Sequence, residues 1–224
     1  MNDSMNKWDN YFYSHYMPKQ RHWGEEDLIH YKNWYSSWID YIDTKISHKN
    51  LPKNPHVLEI GSGIGGVAAL LAGKGWKVTG SDISREIVKA ANKTHRSVQF
   101  VYCDAQKKIP GKYNMIVAFE VLEHIENPST AIRNVCNSLK KNGLFIGSSP
   151  YPFSKAYSDP THCSVNYPKK WKQIFHNEGF KKVSLYPLSF FPYLWRIHRR
   201  LNVVLPFYIS LPWFVSTTLI IAQK

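Results

Sequence analysis

The sequence predicts an α/β fold, a mostly parallel sheet with helices on both faces, and three observations carry that expectation. Short apolar runs alternate with helix-period stretches through the middle of the chain. The first run, His56–Ile60, leads into a glycine-rich turn, Gly61-Ser62-Gly63-Ile64-Gly65-Gly66, that opens a helix. The next run ends on an acidic residue, Asp82. With 224 residues, 43% of them hydrophobic, the chain can bury a core without staples.

Each element has its own signal. Leu28, Tyr31, Tyr35, Trp38, Ile42 and Ile46 recur at three- and four-residue spacing, which predicts an amphipathic helix over residues 24–46. Glu25, Glu26 and Asp27 fall in its first turn, where the helix dipole favours acids. Residues 47–55 (SHKNLPKNP) read as a linker. After the glycine turn a helix is expected over Val67–Lys74, then a strand over Trp76–Ser81. Ser84 is placed to cap a helix running to about Lys93. Val98–Cys103 and Tyr113–Phe119 read as the third and fourth strands. Asn127-Pro128 starts a helix expected to end at Gly143, before a fifth strand at Leu144–Ser148. Tyr167-Pro168 opens a helix closing at Glu178-Gly179; Lys181–Tyr186 and Val215–Gln223 read as the remaining strands. No internal repeat is visible.

Composition excludes several classes. Apolar and aromatic content is too high for disorder. Cys103, Cys136 and Cys163 are an odd, widely spaced set, so they read as reduced thiols rather than a disulfide framework. No CxxC pair suggests a zinc ribbon, and the polar start MNDSMNKWDN lacks a secretory apolar stretch. A cytoplasmic location is therefore expected. Lysine and arginine number 29 against 16 acids, a net charge of +13, and the excess is concentrated late. Residues 168–224 hold nine basic side chains and a single acid, Glu178.

The glycine loop is the most informative stretch. Glycines permit a tight turn and close backbone approach by a ligand. Gly61, Gly63 and Gly66 also satisfy the dinucleotide pattern GxGxxG, so a nicotinamide cofactor is an alternative at this point. The surrounding residues decide against it. ExGxGxG at Glu59–Gly65, Asp82 and Asp104 ending the second and third strands, and FEVLEHI at Phe119–Ile125 together resemble class I S-adenosylmethionine-dependent methyltransferases. The closing STTLIIAQK resembles that family's antiparallel last strand. The resemblance covers roughly residues 50–186 and 215–224.

It implies a Rossmann-like, seven-stranded, mostly parallel sheet with helices on both faces. It also implies a cofactor site of Glu59, Gly61, Gly63, Gly65, Asp82, Ile83, Asp104, Ala105, Phe119 and Glu120. Asp82 would accept from both ribose hydroxyls and Asp104 from the adenine amino group, with Ala105 offering backbone contact. Phe119 or Glu120 would line the pocket. The segment Glu120-Val121-Leu122-Glu123-His124 is similar to the EVLEH of ubiquinone-pathway O-methyltransferases. There the two glutamates and the histidine are associated with a divalent metal, which makes Glu120, Glu123 and His124 the candidate ligands; the alternative has Glu123 and His124 simply beginning a turn.

Methyl transfer from a sulfonium needs an aligned nucleophile above all, and a hydroxyl acceptor also benefits from a base. His124 is one candidate catalytic residue. His162, in the Asp159-Pro160-Thr161-His162 loop after the fifth strand, is the other, with Asp159 or Tyr167 to orient it. No Asn/Asp-Pro-Pro-aromatic motif and no Pro-Cys nucleophile is present, which lowers the nucleic-acid reading despite the charge.

The flanks are expected to shape the acceptor side. Residues 1–50, with Trp8, Tyr11, Phe12, Tyr13, Tyr16 and Trp23, are expected to form a helical aromatic lid on a methyltransferase domain spanning 51–224. Residues 188–214 read as a substrate-side insertion. The basic RIHRR at 196–200 precedes an uncharged run from Leu201 to Ala222. Pro206 and Pro212 argue against a membrane span; a folded insertion covering the acceptor site is the simplest reading, with peripheral membrane contact the alternative. The expected activity is methyl transfer from S-adenosylmethionine to an oxygen of a small molecule, glycan or lipid-linked intermediate. An RNA methyltransferase and a non-catalytic S-adenosylmethionine-binding protein stand as the alternatives.

Overall fold

Side chains alternate along the strands, and the two faces of the sheet feed two separate apolar clusters. The computed structural model describes residues 7–11, 25–46, 51–191, 198, 201 and 203–224, with side chains in the second helix described from residue 33. Two helices come first, α1 (Lys7–Tyr11) and α2 (Glu25–Asp43). Alternation then begins with β1 (His56–Ile60), α3 (Gly66–Gly73), β2 (Lys77–Asp82), α4 (Arg85–Thr94), β3 (Gln99–Tyr102) and β4 (Tyr113–Ala118). It continues through α5 (Pro128–Ser138), β5 (Leu139–Pro150), α6 (Pro168–Asn177), β6 (Lys182–Phe190), β7 (Val204–Leu205) and β8 (Val215–Gln223).

The described strands form one sheet in the order β3-β2-β1-β4-β5-β8-β6-β7. The first five strands in sequence run parallel, and β8 enters antiparallel between β5 and β6. Because β1 pairs with both β2 and β4, the chain reverses its winding there. That reversal opens a crevice at the carboxyl ends of the strands, where open sheets bind ligands. One face packs α5 and α6 residues such as Ile132, Trp171 and Phe175 on Leu58, Ile116 and Ala118. The other packs α2 and α3 on Val57, Met115, Val117 and Phe119.

Several boundaries match their signals, and three differ. The sheet has eight strands rather than seven: the extra one, β7, is two residues of the insertion paired with Ser189 and Phe190. Helix α5 stops at Ser138, five residues before Gly143. The chain there runs directly into β5, whose pairing with β4 is interrupted between Tyr113 and Met115, with Asn142 left-handed at φ 61°. Gly143 serves this irregularity, since a Cβ on it would lie 2.9 Å from the Lys140 carbonyl. Strand β6 also continues four residues past Tyr186.

Of the segment expected as a lid, α1 lies at the mouth of the crevice, while Phe12, Tyr13, Tyr16 and Trp23 lie outside the described residues. Helix α2 packs on the sheet. Trp38, 1% exposed, stacks on Phe190 with centroids 4.4 Å apart and meets Phe119 edge-on at 5.7 Å. Removing an aromatic from such a position typically costs about 3–5 kcal/mol, through lost transfer energy and the cavity left behind. Trp38→Ala should therefore lower unfolding stability by about that amount; a denaturant midpoint unchanged from the parent would show that α2 does not share the core.

Candidate active site

A cavity of about 380 Å³ opens at the carboxyl ends of β1, β2 and β4. Its floor is the glycine loop. Gly61 is left-handed at φ 65°, and a Cβ there would come within 2.4 Å of Val121 Cγ2, so only glycine fits between loop and pocket wall. Gly65, at φ 88°, caps α3 beneath Phe100, whose ring a Cβ would meet at 2.3 Å. Asp82 ties the loop to β2: Gly63 N–H donates to its Oδ2 at 3.1 Å and Ser84 N–H to its Oδ1 at 2.9 Å. Burial pushes the Asp82 carboxyl up to about 6 against those two bonds, and nearby Asp9 pushes the same way.

Gly61, Gly63, Asp82, Ile83, Asp104, Ala105, Glu120 and His124 all line this cavity, as their motifs anticipated. Glu59, Gly65 and Phe119 do not. Glu59 is 4% exposed under the loop, with burial holding its carboxyl well above the usual range and the Ala68 N–H bonded to it. Gly65 is the helix cap just described. Phe119 follows the two-residue period of β4, which puts Met115, Val117 and Phe119 on the α2 side, away from the crevice. The chain then breaks that period. Glu120 is left-handed at φ 53°, and so turns its carboxyl to the cavity. Its N–H donates to Ser148 Oγ at 3.0 Å, while its Oε1 lies 2.7 Å from Ser148 Oγ and 2.9 Å from Thr217 Oγ1. Ser148 and Thr217 carry no sequence motif; only the pairing of β5 with β8 brings them together.

Helix α1 closes one side of the mouth with Lys7, Trp8 and Tyr11. Its Asp9, 6% exposed, accepts from Ser84 Oγ at 2.7 Å, and Lys7 pairs with Glu126 at 2.7 Å across the opening. Trp8 meets His124 edge-on at 5.6 Å. Nothing in the sequence singled out Asp9, because a lone acid in a polar stretch has no pattern.

The two histidines converge, with ring centroids 4.6 Å apart. Thr161 Oγ1 donates to Asp159 Oδ1 at 2.6 Å, so its lone pair receives His124 Nδ1–H at 2.9 Å. His162 Nδ1 lies 2.6 Å from the Ala156 carbonyl, which only accepts, so Nδ1 carries the proton there too. Both Nε2 atoms are left as acceptors. His162 Nε2 and Asp159 Oδ2 are 3.9 Å apart, so Asp159 serves the pair from the side. Tyr167, also considered as its partner, instead meets Tyr151 at 5.8 Å.

Beneath the histidines lies Glu123, 1% exposed, with the Ser149 hydroxyl as the side-chain donor facing its carboxylate. Burial, then the neighbouring Glu120, hold its carboxyl well above the usual range, while burial and His162 pull His124 down. Ligating atoms of Glu123, His124 and His162 lie within 4.8 Å of one another. Of the three residues expected as metal ligands, Glu123 and His124 come together with His162, while Glu120 is engaged by the Ser148 and Thr217 hydroxyls. A buried carboxylate with two imidazole lone pairs beside it fits a borderline divalent cation.

A crevice at the switch point of this sheet, floored by glycines and bounded by an acid ending the second strand, defines a nucleotide-cofactor enzyme of the α/β class. The family pattern described as "Methyltransferase domain" matches residues 33–185, and the chain belongs to that family. It is 31% identical over 140 residues to a ubiquinone biosynthesis O-methyltransferase of Rickettsia typhi, covering 60% of this chain and 56% of that one. A Xanthomonas campestris protein of the same name is 30% identical over 142 residues, 58% of each chain. The chain thus spans little more than half the length of these curated relatives. Among solved structures, a possible histamine N-methyltransferase of Thermotoga maritima superposes with a TM-score of 0.66 at 16% identity, over 95% of this chain and 97% of that one. An Archaeoglobus fulgidus SAM-dependent methyltransferase gives 0.63 at 19% identity, over 93% and 99%. At these identities the structures speak to fold alone.

Asp82→Ala should weaken binding of S-adenosylhomocysteine by about 1–3 kcal/mol, the usual loss for hydrogen bonds to a charged group. The carboxylate must be ionised to accept from two hydroxyls, so affinity should also decline as pH falls below about 6 in the parent and not in the variant. Calorimetry giving equal affinities for parent and variant at neutral pH would remove Asp82 from the site.

Proposed function

We propose that this chain transfers a methyl group from S-adenosylmethionine to an oxygen of a small-molecule acceptor. The observation that carries this is the convergence of Glu123, His124 and His162 beside a cavity already bounded by the glycine loop and Asp82. The names of the curated relatives, which are O-methyltransferases, support the choice of oxygen.

When bound, the cofactor would supply an electrophilic methyl to the acceptor oxygen and leave as S-adenosylhomocysteine, while the acceptor hydroxyl's proton would pass to solvent. Gly61 and Gly63 would let the methionine part approach the backbone; Asp82 would hold the ribose and Asp104 the adenine end. Glu123, His124 and His162 would hold a divalent cation, which would lower the acceptor hydroxyl's pKa and orient its oxygen. The cation would also offset the charge of the buried Glu123 carboxylate. Thr161, anchored on Asp159, fixes the His124 ring.

Positioning can supply about 7–11 kcal/mol of barrier reduction, and proton transfer only about 10²–10⁴-fold in rate. His124→Ala or His162→Ala should therefore cut turnover by about 10²-fold or more while leaving cofactor affinity near the parent's. A divalent ion should raise the parent's melting temperature and not that of Glu123→Gln, and chelator should abolish turnover of hydroxyl acceptors. Full activity in chelator, with no ion-dependent melting shift, would leave the histidines as proton acceptors without metal.

A further inference from the structure

The large apolar side chains that stand exposed among the described residues all lie in two segments, 157–167 and 191–213. Trp213 is 68% exposed, Tyr157 59%, Tyr167 58%, Leu211 56% and Phe207 52%. The two segments adjoin. One follows the carboxyl end of β5, and the other connects β6 to the start of β8, which runs antiparallel beside β5. Tyr151 links them, with its ring 3.9 Å from Tyr208 and 5.8 Å from Tyr167.

This exposure does not come from a slack loop. Ser189 Oγ donates to the Phe207 carbonyl at 2.7 Å, Ile209 N–H reaches Ser189 and Ser216 hydroxyls at 3.0 Å, and Tyr208 Oη lies 3.0 Å from Thr218 Oγ1. The inner side of residues 207–209 is therefore tied to β6 and β8, while Phe207, Leu211 and Trp213 are held pointing outward. A contiguous apolar face kept in the open marks an interaction surface.

Its charge identifies the partner. No acid occurs between Gly179 and Lys224. Exposed Lys155 lies two residues from Tyr157, exposed Lys169 and Lys170 follow Tyr167, and His198 is exposed in the insertion. Arg196, Arg199 and Arg200 belong to the same connection but lie outside the described residues. The acid within the first segment, Asp159, is turned onto Thr161 and His162. Aromatic and aliphatic side chains bordered by cations match the boundary region of an anionic bilayer. No helix among the described residues is long and apolar enough to cross a membrane, so the contact is peripheral.

We propose that this face docks on an anionic lipid surface, with Phe207, Leu211 and Trp213 entering the headgroup–acyl boundary and the lysines meeting the headgroups. The cavity opens at the same end of the sheet, so docking would present it to acceptors held in the bilayer. The idea stands apart from the chemistry, because it needs neither acceptor nor turnover.

The test is sedimentation of the full chain with vesicles of phosphatidylcholine alone or mixed with phosphatidylglycerol, at low and high salt. The parent should partition onto the mixed vesicles, less so at high salt, and weakly onto the neutral ones. Leu211→Ser/Trp213→Ser should lower partitioning by about ten-fold or more, since two inserted apolar groups are lost. Lys155→Gln/Lys169→Gln/Lys170→Gln should remove the salt dependence contributed by that edge. Unchanged S-adenosylhomocysteine affinity would show that each variant is folded. A parent that ignores anionic vesicles at low salt overturns the proposal, as does a double variant that sediments like the parent. A concentration-dependent dimer that the double variant abolishes, without vesicle binding, would overturn it in favour of a second copy of the chain.

Discussion

Four carboxylates crowded at one end of the sheet constrain everything around them. Glu59, Asp82, Glu120 and Glu123 are all pushed upward, with burial the first cause in each case. The chain carries 29 lysines and arginines, yet none of the ion pairs found among the described residues involves these four acids. The basic groups stay on the outside, while Glu59 and Glu123 lie inside and Asp82 and Glu120 face the cavity. Desolvated carboxylates are costly unless something donates to them. Backbone N–H groups meet part of that demand at Asp82, and hydroxyls meet it at Glu120. What is left at Glu123 is a demand for a proton or a cation.

The sheet topology supplies those donors. Left-handed backbone at a residue with a side chain costs on the order of 1–2 kcal/mol, so Glu120 must be held by its surroundings. Ser148 comes from β5 and Thr217 from β8, and only an antiparallel strand entered beside β5 places both at the end of β4. The departure from parallel pairing thus has a local purpose at the pocket. On the opposite wall Asp9 reaches Ser84, next to the Ser84 N–H that orients Asp82, so α1 and the Asp82 side of the cavity share one hydrogen-bonded corner.

Much of this was legible from short-range patterns. β1 and β8 fall where their apolar runs predict, Ser84 caps α4 through the Ile87 N–H, and the glycine loop and Asp82 meet as their spacing implies. Signals that depend on contact between distant segments were not. Phe119 and Glu120 are adjacent in one motif, but strand alternation sends one to α2 and a positive φ sends the other to the cavity. His162 reaches Glu123 and His124 because the loop after β5 folds back, with Cys163 and Ser164 N–H groups on the Glu123 carbonyl. Gly143 marks a break in strand pairing, which a single glycine cannot distinguish from a helix end.

The position of β8 has a consequence for how the chain is made. Residues 182–190 are synthesised before 215–223, yet they pair with the sheet only through them. Until the later strand leaves the ribosome, β5 presents an open edge and β6 has only the two-residue β7 to pair with. At translation rates of about 5–20 residues per second that interval lasts on the order of seconds. An unpaired strand edge, followed by the apolar stretch of the insertion, is a natural client for a holding chaperone during that time.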